Sequence, residues 1–352
     1  MMKRKQTLVF KNKPYIIGAY SFGGEKEGKG PLREWFDDCL RDDSYDENTW
    51  EKSESKMLKT AMLEAAKRSG KNHDEIGAIL SGDLLNQLMS SSFMARDMHI
   101  PFLGMYGACS TMTESLILGS VLVDGRYSDN VITGASSHYC TAERQFRMPL
   151  EHGNQRPPSA QWTATAAGAM VLSSVKQEES MESDCNGEMV KHKQVRVECG
   201  TIGKVIDAGV KDANQMGSAM APAAVDTLLN HLEDTGRKLE YYDLVLTGDL
   251  GFVGKDIMKD LLKDAGIDVI ALDEIYDDCG AMIFEPRQDV HSGGSGCGCS
   301  ASIISGYVYK KMRRGDIKRA LVMSTGALLS TISPFQGESI PGIAHAVSLE
   351  TD

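Results

Sequence analysis

What the chain lacks narrows it quickly. No apolar run approaches the length needed to cross a bilayer, because Thr, Ser, Gly or a charge interrupts each candidate within a few residues. A transmembrane helix is not expected, and any membrane association is expected to be peripheral. Positive charge is in short supply. With 38 Lys and Arg against 49 Asp and Glu the formal charge is −11, which opposes attraction to polyanions, so no nucleic acid partner is expected. The cluster Lys3, Arg4, Lys5, Lys11 and Lys13 makes only the extreme N-terminus basic, and it reads as a solvated, fraying end. The eight cysteines show no small-scaffold disulfide spacing, and no secretory apolar segment follows the basic start. The expected setting is a reducing intracellular compartment, with no signal peptide. Cys279, Cys297, Cys299 and His291 lack the paired spacings of a zinc site. The glycine run at 293, 294, 296 and 298 lacks the lysine of a phosphate loop and reads as a tight turn before a buried helix. Neither a metal nor a cofactor is expected.

What is present is a globular chain of 352 residues, 41% hydrophobic and 25% charged, long enough for two domains or two fused halves. Its order is betrayed by a repeat. After Cys109-Ser110 comes an apolar helix, Gly125 and the strand "NVITGASS"; after Cys299-Ser300 comes "ASIISGYVYKKMRRG", ending at Gly315, then "RALVMSTGA". Cysteine and glycine stand 16 positions apart in both units. Each unit is a helix, a glycine able to take positive φ, and a short buried strand. A duplicated half is the economical explanation, with boundaries at 1–190 and 191–352. Elsewhere "MLKTAMLEAAKRSG" before "IGAILSGD", "AAVDTLLNHLEDTG" before "YYDLVLTGD", and "IMKDLLKDAG" before "IDVIALD" repeat the plan of a helix and then a strand. Such alternation argues for a layered α/β fold. The polar stretch 176–194 reads as a connector or exposed hairpin, and 21–52 as a loop excursion with short helices.

Cys109 opens the question of function. A thiol at a helix N-terminus sits beside unpaired N–H groups, which favour the thiolate and so prepare a nucleophile. A buried cysteine there can equally be a packing residue.

The stretches "ACSTMTESLILGSVLVDGRYSDNVITGASS", "DANQMGSAMAPAAVDTLL" and "HSGGSGCGCSASIISG", with "IAHAVSLE" as closing strand, resemble the thiolase superfamily of acyl-condensing enzymes. The resemblance implies a five-layered α-β-α-β-α fold, two pseudo-symmetric halves and a homodimer. It also implies a nucleophile at Cys109 and a partner histidine at His291. The second-half motif reads "TGDLGFVG", which puts Asp249 where active relatives carry an amide or imidazole, and an ionised carboxylate there would repel an oxyanion. Met323 and Ser324 stand where a second catalytic thiol belongs, and neither moves a proton well.

A narrower likeness lies in "GASSHYCTAERQFRMPLEHGNQRPPSAQWTATAAGA" and "DVHSGGSGCGCSA", which resemble the stage V sporulation protein AD (SpoVAD) family of spore-forming bacteria. That resemblance implies binding of dipicolinic acid, a peripheral place on the inner forespore membrane and membrane-embedded partner subunits of a spore transport system. With Asp249, Met323 and Ser324 where the proton-handling groups belong, no enzyme activity is expected and the thiolase machinery reads as degenerate. Dipicolinate is a flat ring with two carboxylates, so its pocket wants guanidinium or N–H donors and an apolar wall. Arg144, Arg147 and Arg156 with Tyr139, Phe146 and Trp162 offer both, and His138 lies just past a strand end. The expected ligand-binding set is Cys109, His138, Tyr139, Arg144, Arg147, Trp162, Asp249, His291 and Ser324. The competing readings are a live condensing enzyme using Cys109 with His291 on an acyl thioester, and an adaptor whose pocket is empty.

Overall fold

The computed structural model describes residues 5–146, 156–177, 181–183 and 189–352. Strands β1 (Thr7–Val9) and β2 (Tyr15–Gly23) precede a loop with short 3-10 turns and β3 (Asp38–Cys39). Helix α1 (Trp50–Ser69) begins where the Thr49 hydroxyl accepts the Lys52 amide at 3.4 Å and stops where Gly70 takes φ +70°. Next come β4 (Ala78–Gly82), α2 (Met89–Met98), β5 (Phe102–Gly104), α3 (Thr111–Asp124) and β6 (Asn130–Ser137). Helix α4 (Tyr139–Phe146), β7 (Trp162–Thr163) and β8 (Ala166–Ser173) complete the first run. The polar connector contains an antiparallel hairpin, β9 (Met181–Ser183) with β10 (Met189–Lys191).

The second run repeats the first with β11 (Val195–Thr201), α5 (Met216–Thr235), β12 (Leu244–Gly248), α6 (Gly251–Asp264), α7 (Val269–Ile275), β13 (Tyr276–Asp278) and α8 (Cys279–Met282). It closes with β14 (Gly294–Ser295), α9 (Cys297–Ile303), α10 (Tyr309–Arg314), β15 (Arg319–Ala327) and β16 (Gly342–Thr351). Helices α9 and α10 run on through a π-helical segment, Ile304–Val308.

Sheet order explains the repeat. Reading across, the strands run β13-β12-β15-β16-β11-β2-β8-β6-β4-β5. In each half two antiparallel pairings are followed by two parallel ones: β2-β8-β6-β4-β5 in the first and β11-β16-β15-β12-β13 in the second. The halves join where Val195 pairs with Ile16 and Arg196 with Tyr15. Helices α1 and α2 cover the outer face of the first sheet, α5 and α6 that of the second, and α3 and α9 are packed between the two. Three hydrophobic clusters fill the interfaces between these layers. The architecture is the five-layered α-β-α-β-α arrangement of two pseudo-symmetric halves.

Two local expectations are corrected. "IDVIALD" is not a strand: the Asp268 carboxylate accepts the amides of Ile270 and Ala271 and caps α7, leaving only Tyr276–Asp278 extended. The two repeat glycines are not equivalent either. Gly315 takes φ +88°, but Gly125 stays at −74° and Arg126 enters the left-handed region at +59°.

Candidate functional site

Cys109 lies two residues before α3, in a turn where Ala108 takes φ +49°. Side chains tie that turn down: Ser110 Oγ donates to the Gly107 carbonyl and Thr111 Oγ1 to that of Ala108, each at 2.7 Å. Cys109 is 6% exposed and borders a narrow cleft with a cavity volume of about 40 Å³. Tyr106, Glu143, Phe146, Thr163, Met216 and Leu329 form much of its wall. No histidine, lysine, arginine or side-chain amide lines it among the described residues. Glu143 Oε1 accepts the Thr163 hydroxyl at 3.2 Å, so the single carboxylate of the cleft faces any entering anion.

Behind Cys109 stands Asp249, fully buried at φ +65°. Burial, reinforced by the negative charge of Asp278, pushes its carboxyl well above the usual carboxylate range, and its side-chain hydrogen bonds are to the thiols of Cys299 and Cys109. The shift favours the protonated form of the group. That direction runs against an ionised aspartate: in the protonated form the group neither repels an oxyanion nor offers a base to the thiol. The neighbouring Asp278 takes the charge instead. It accepts Thr247 Oγ1 at 2.8 Å, the Leu250 amide at 3.0 Å, that of Gly251 at 2.8 Å and that of Ala281 at 3.1 Å, although burial still raises it to about 6. Ser324 sits one strand away, opposite Gly248 in the β12–β15 ladder, with a buried hydroxyl lacking a partner. Ser300 Oγ reaches the Cys109 carbonyl at 3.5 Å. Cys109, Asp249 and Ser324 are thus brought together where the two halves meet.

The other candidates go elsewhere. His291, at φ +54°, faces solvent with Nε2 3.5 Å from Asp289, and it is not part of the cleft wall. Its pairing with Cys109 is not realised, because the backbone turns it outward while Val290 and Ser292 on either side are buried. His138 is fully buried at the head of α4. Its Nε2 lies 2.9 Å from the Asp43 carbonyl and its Nδ1 accepts the Cys140 amide at 3.2 Å, so both ring nitrogens are used within the fold. Burial lowers its pKa, which keeps the ring neutral. Arg144 points from α4 towards α1 and pairs with Glu51. Arg147 lies outside the described residues.

Tyr139 and Trp162 form a separate feature, with ring centroids 3.8 Å apart and planes 13° from parallel. Strand alternation places it: Thr163 of β7 faces the cleft, so Trp162 turns to the other side. There Lys26 Nζ stands 3.8 Å and Arg156 Cζ 4.6 Å from the indole centroid.

A buried helix headed by cysteine between two five-stranded halves is the arrangement of the thiolase-like fold, and solved structures share it. A variant of OleA from Xanthomonas campestris superposes with a TM-score of 0.61 at 12% identity, covering 99% of this chain and 100% of that one. The 3-oxoacyl-(acyl-carrier-protein) synthase III of Aquifex aeolicus does so with a TM-score of 0.54 at 13% identity, covering 96% and 99%. At those identities the likeness establishes the fold alone. The sequence itself is more specific. The stage V sporulation protein AD family profile matches residues 4–350, and the stage V sporulation protein AD of Bacillus subtilis (strain 168) is 41% identical over 346 residues, 98% of this chain and 97% of that protein. The chain belongs to the stage V sporulation protein AD family.

Lys26, Glu143 and Asp278 were not singled out from the sequence. Helical spacing would have found Glu143: residues 139, 142, 143 and 146 share one stripe of α4, and Arg144 falls off it. Lys26 carries no local signal, because it meets Trp162 only through the loop after β2.

Proposed function

We propose that the chain is a dipicolinic acid binding subunit of a spore membrane transport system and that it has lost condensing activity. The observation that carries the loss of condensing activity is the cleft at Cys109. It keeps the thiol, but no histidine or lysine that could move a proton lines it among the described residues, and its one carboxylate, Glu143, is engaged by the Thr163 hydroxyl. Membership of a sporulation family, together with what the sequence resemblance implies, supports dipicolinate as the ligand. Among the described residues no helix is long and apolar enough to cross a membrane, in keeping with a peripheral subunit that works with membrane-embedded partners. A homodimer through β5 is part of the proposal. That strand ends the sheet, and Leu103, Phe93 and Met89 expose apolar surface beside it.

Calorimetric titration of the purified chain with dipicolinic acid tests the reading. Saturable heat at about one ligand per chain is the expected result, and a folded chain giving no saturable heat would overturn it. Cys109→Ala and Ser324→Ala report whether the cleft takes part. The rival reading, a live condensing enzyme, draws on the same retained thiol and requires acyl transfer onto Cys109.

A further inference from the structure

We infer that Lys26 and Arg156, converging on the indole of Trp162, form a carboxylate-binding site on the far side of β7 from the Cys109 cleft. One face of Trp162 is filled by Tyr139, stacked at 3.8 Å. The two cations therefore share the opposite face, at 3.8 and 4.6 Å. Like charges placed this close repel, and indole attraction offsets only part of that cost. Among the described residues neither cation forms an ion pair, although Asp43 and Asp289 lie near enough to act on Lys26. Asp43 Oδ1 accepts the Glu25 amide at 2.7 Å, and its Oδ2 lies 3.5 Å from Thr165 Oγ1. Glu25 pairs with Lys29 at 2.5 Å. Glu27 is fully buried and raised to about 8, so it is neutral at pH 7. Arg156 gives one N–H to the Asp289 carbonyl at 2.6 Å, while its buried Nη1 has no partner. Lys26 is held below its ordinary pKa by burial and then by Arg156, as expected of a cation short of an anion.

An anion bridging Lys26 Nζ and Arg156 Nη1 would satisfy the orphaned N–H and remove the repulsion together. A carboxylate on a flat ring has the right chemistry, because its ring can lie along the Tyr139–Trp162 stack while its charge meets the two cations. This rests on the proposed function only for the identity of the ligand as dipicolinate; the anion chemistry stands on Lys26 and Arg156.

The test is fluorescence titration of the full chain carrying Trp35→Phe and Trp50→Phe, which leaves Trp162 as the reporter among the three tryptophans. Dipicolinate is expected to change the emission saturably. Lys26→Met and Arg156→Met should each weaken binding about tenfold or more, and Lys26→Arg should restore most of it. Thermal melting of each variant confirms that it is folded. If Lys26→Met and Arg156→Met bind dipicolinate like the parent, the site is overturned and the dipicolinate reading survives in the Cys109 cleft. If the parent ignores dipicolinate but shows a benzoate response that needs both cations, the site stands and the dipicolinate reading falls. No response to either carboxylate overturns the site.

Discussion

At the scale of single residues, burial decides which acids carry charge. Glu27 and Glu54 are fully buried and raised to about 8, first by burial and then by Asp43 and Asp83 respectively. The folded chain holds protons that the unfolded chain releases near 4.5. Their stabilisation is therefore complete below that value and is lost as pH rises through about 8. His231 and His345 act in the opposite sense, because burial lowers both to about 4 and their contribution has levelled off by 6.5. Between about pH 6.5 and 8 the carboxyl contribution is left to dominate, so the urea midpoint is expected to fall across that window. Glu54→Gln should flatten the slope, and a midpoint that rises or stays level in the parent would contradict the assignment. The same logic separates Asp249 from Asp278. Asp249→Asn keeps a neutral group of the same size and is expected to cost less than about 1 kcal/mol, whereas Asp278→Ala abandons two backbone amides at the head of α6 and should cost about 2 to 4 kcal/mol. Denaturant titration checks both.

Residue roles were only partly legible in the sequence. Cys109, Asp249 and Ser324 could be marked from motif position, Cys109 in the turn before α3, Asp249 between β12 and α6, and Ser324 within β15. The charge state of Asp249 could not, since it depends on burial and on Asp278 across 29 positions of chain. Nor could the directions of His138 and His291, which follow from the Asp43 carbonyl and from a left-handed turn respectively.

At the scale of elements, periodicity and stop signals carried most of the reading. The helix ending at Gly70, the one ending at Gly236 and the strands at 130–137 and 319–327 stand where apolar spacing and glycines put them. "IDVIALD" misled because its β-branched residues favour a strand, while Asp268 supplies an N-cap that outweighs them. The repeat glycines give a differential check. Gly315→Ala forces a methyl group onto a φ of +88° and is expected to cost about 1 to 2 kcal/mol. Gly125→Ala, at −74°, carries no such backbone strain, and its methyl group meets the exposed Tyr127 ring and the Val121 carbonyl, so a smaller, steric cost of about 0.5 to 1 kcal/mol is expected. Equal losses in thermal or urea melts would show that the two turns are equivalent after all.

At the scale of the molecule, the duplication seen in sequence becomes two sheets that share one middle layer. The central cluster takes Met112 and Leu116 from α3, Met170 from β8, Ile303 from α9 and Val347 from β16, so neither half keeps its inner face covered without the other. Calorimetric unfolding is expected to show one cooperative transition, and two resolved transitions would mean that the halves are separate domains. What the duplication could not reveal is the chemistry of the shared layer. A thiol, a buried acid biased to its protonated form and a buried hydroxyl stand there, and His291 faces solvent.

The proposal that this centre binds but does not condense has one direct measurement: release of free thiol from an acyl-coenzyme A thioester by the purified chain, followed at steady state. The expected result is no release above the rate with Cys109→Ala. Sustained release that disappears in that variant would contradict the account.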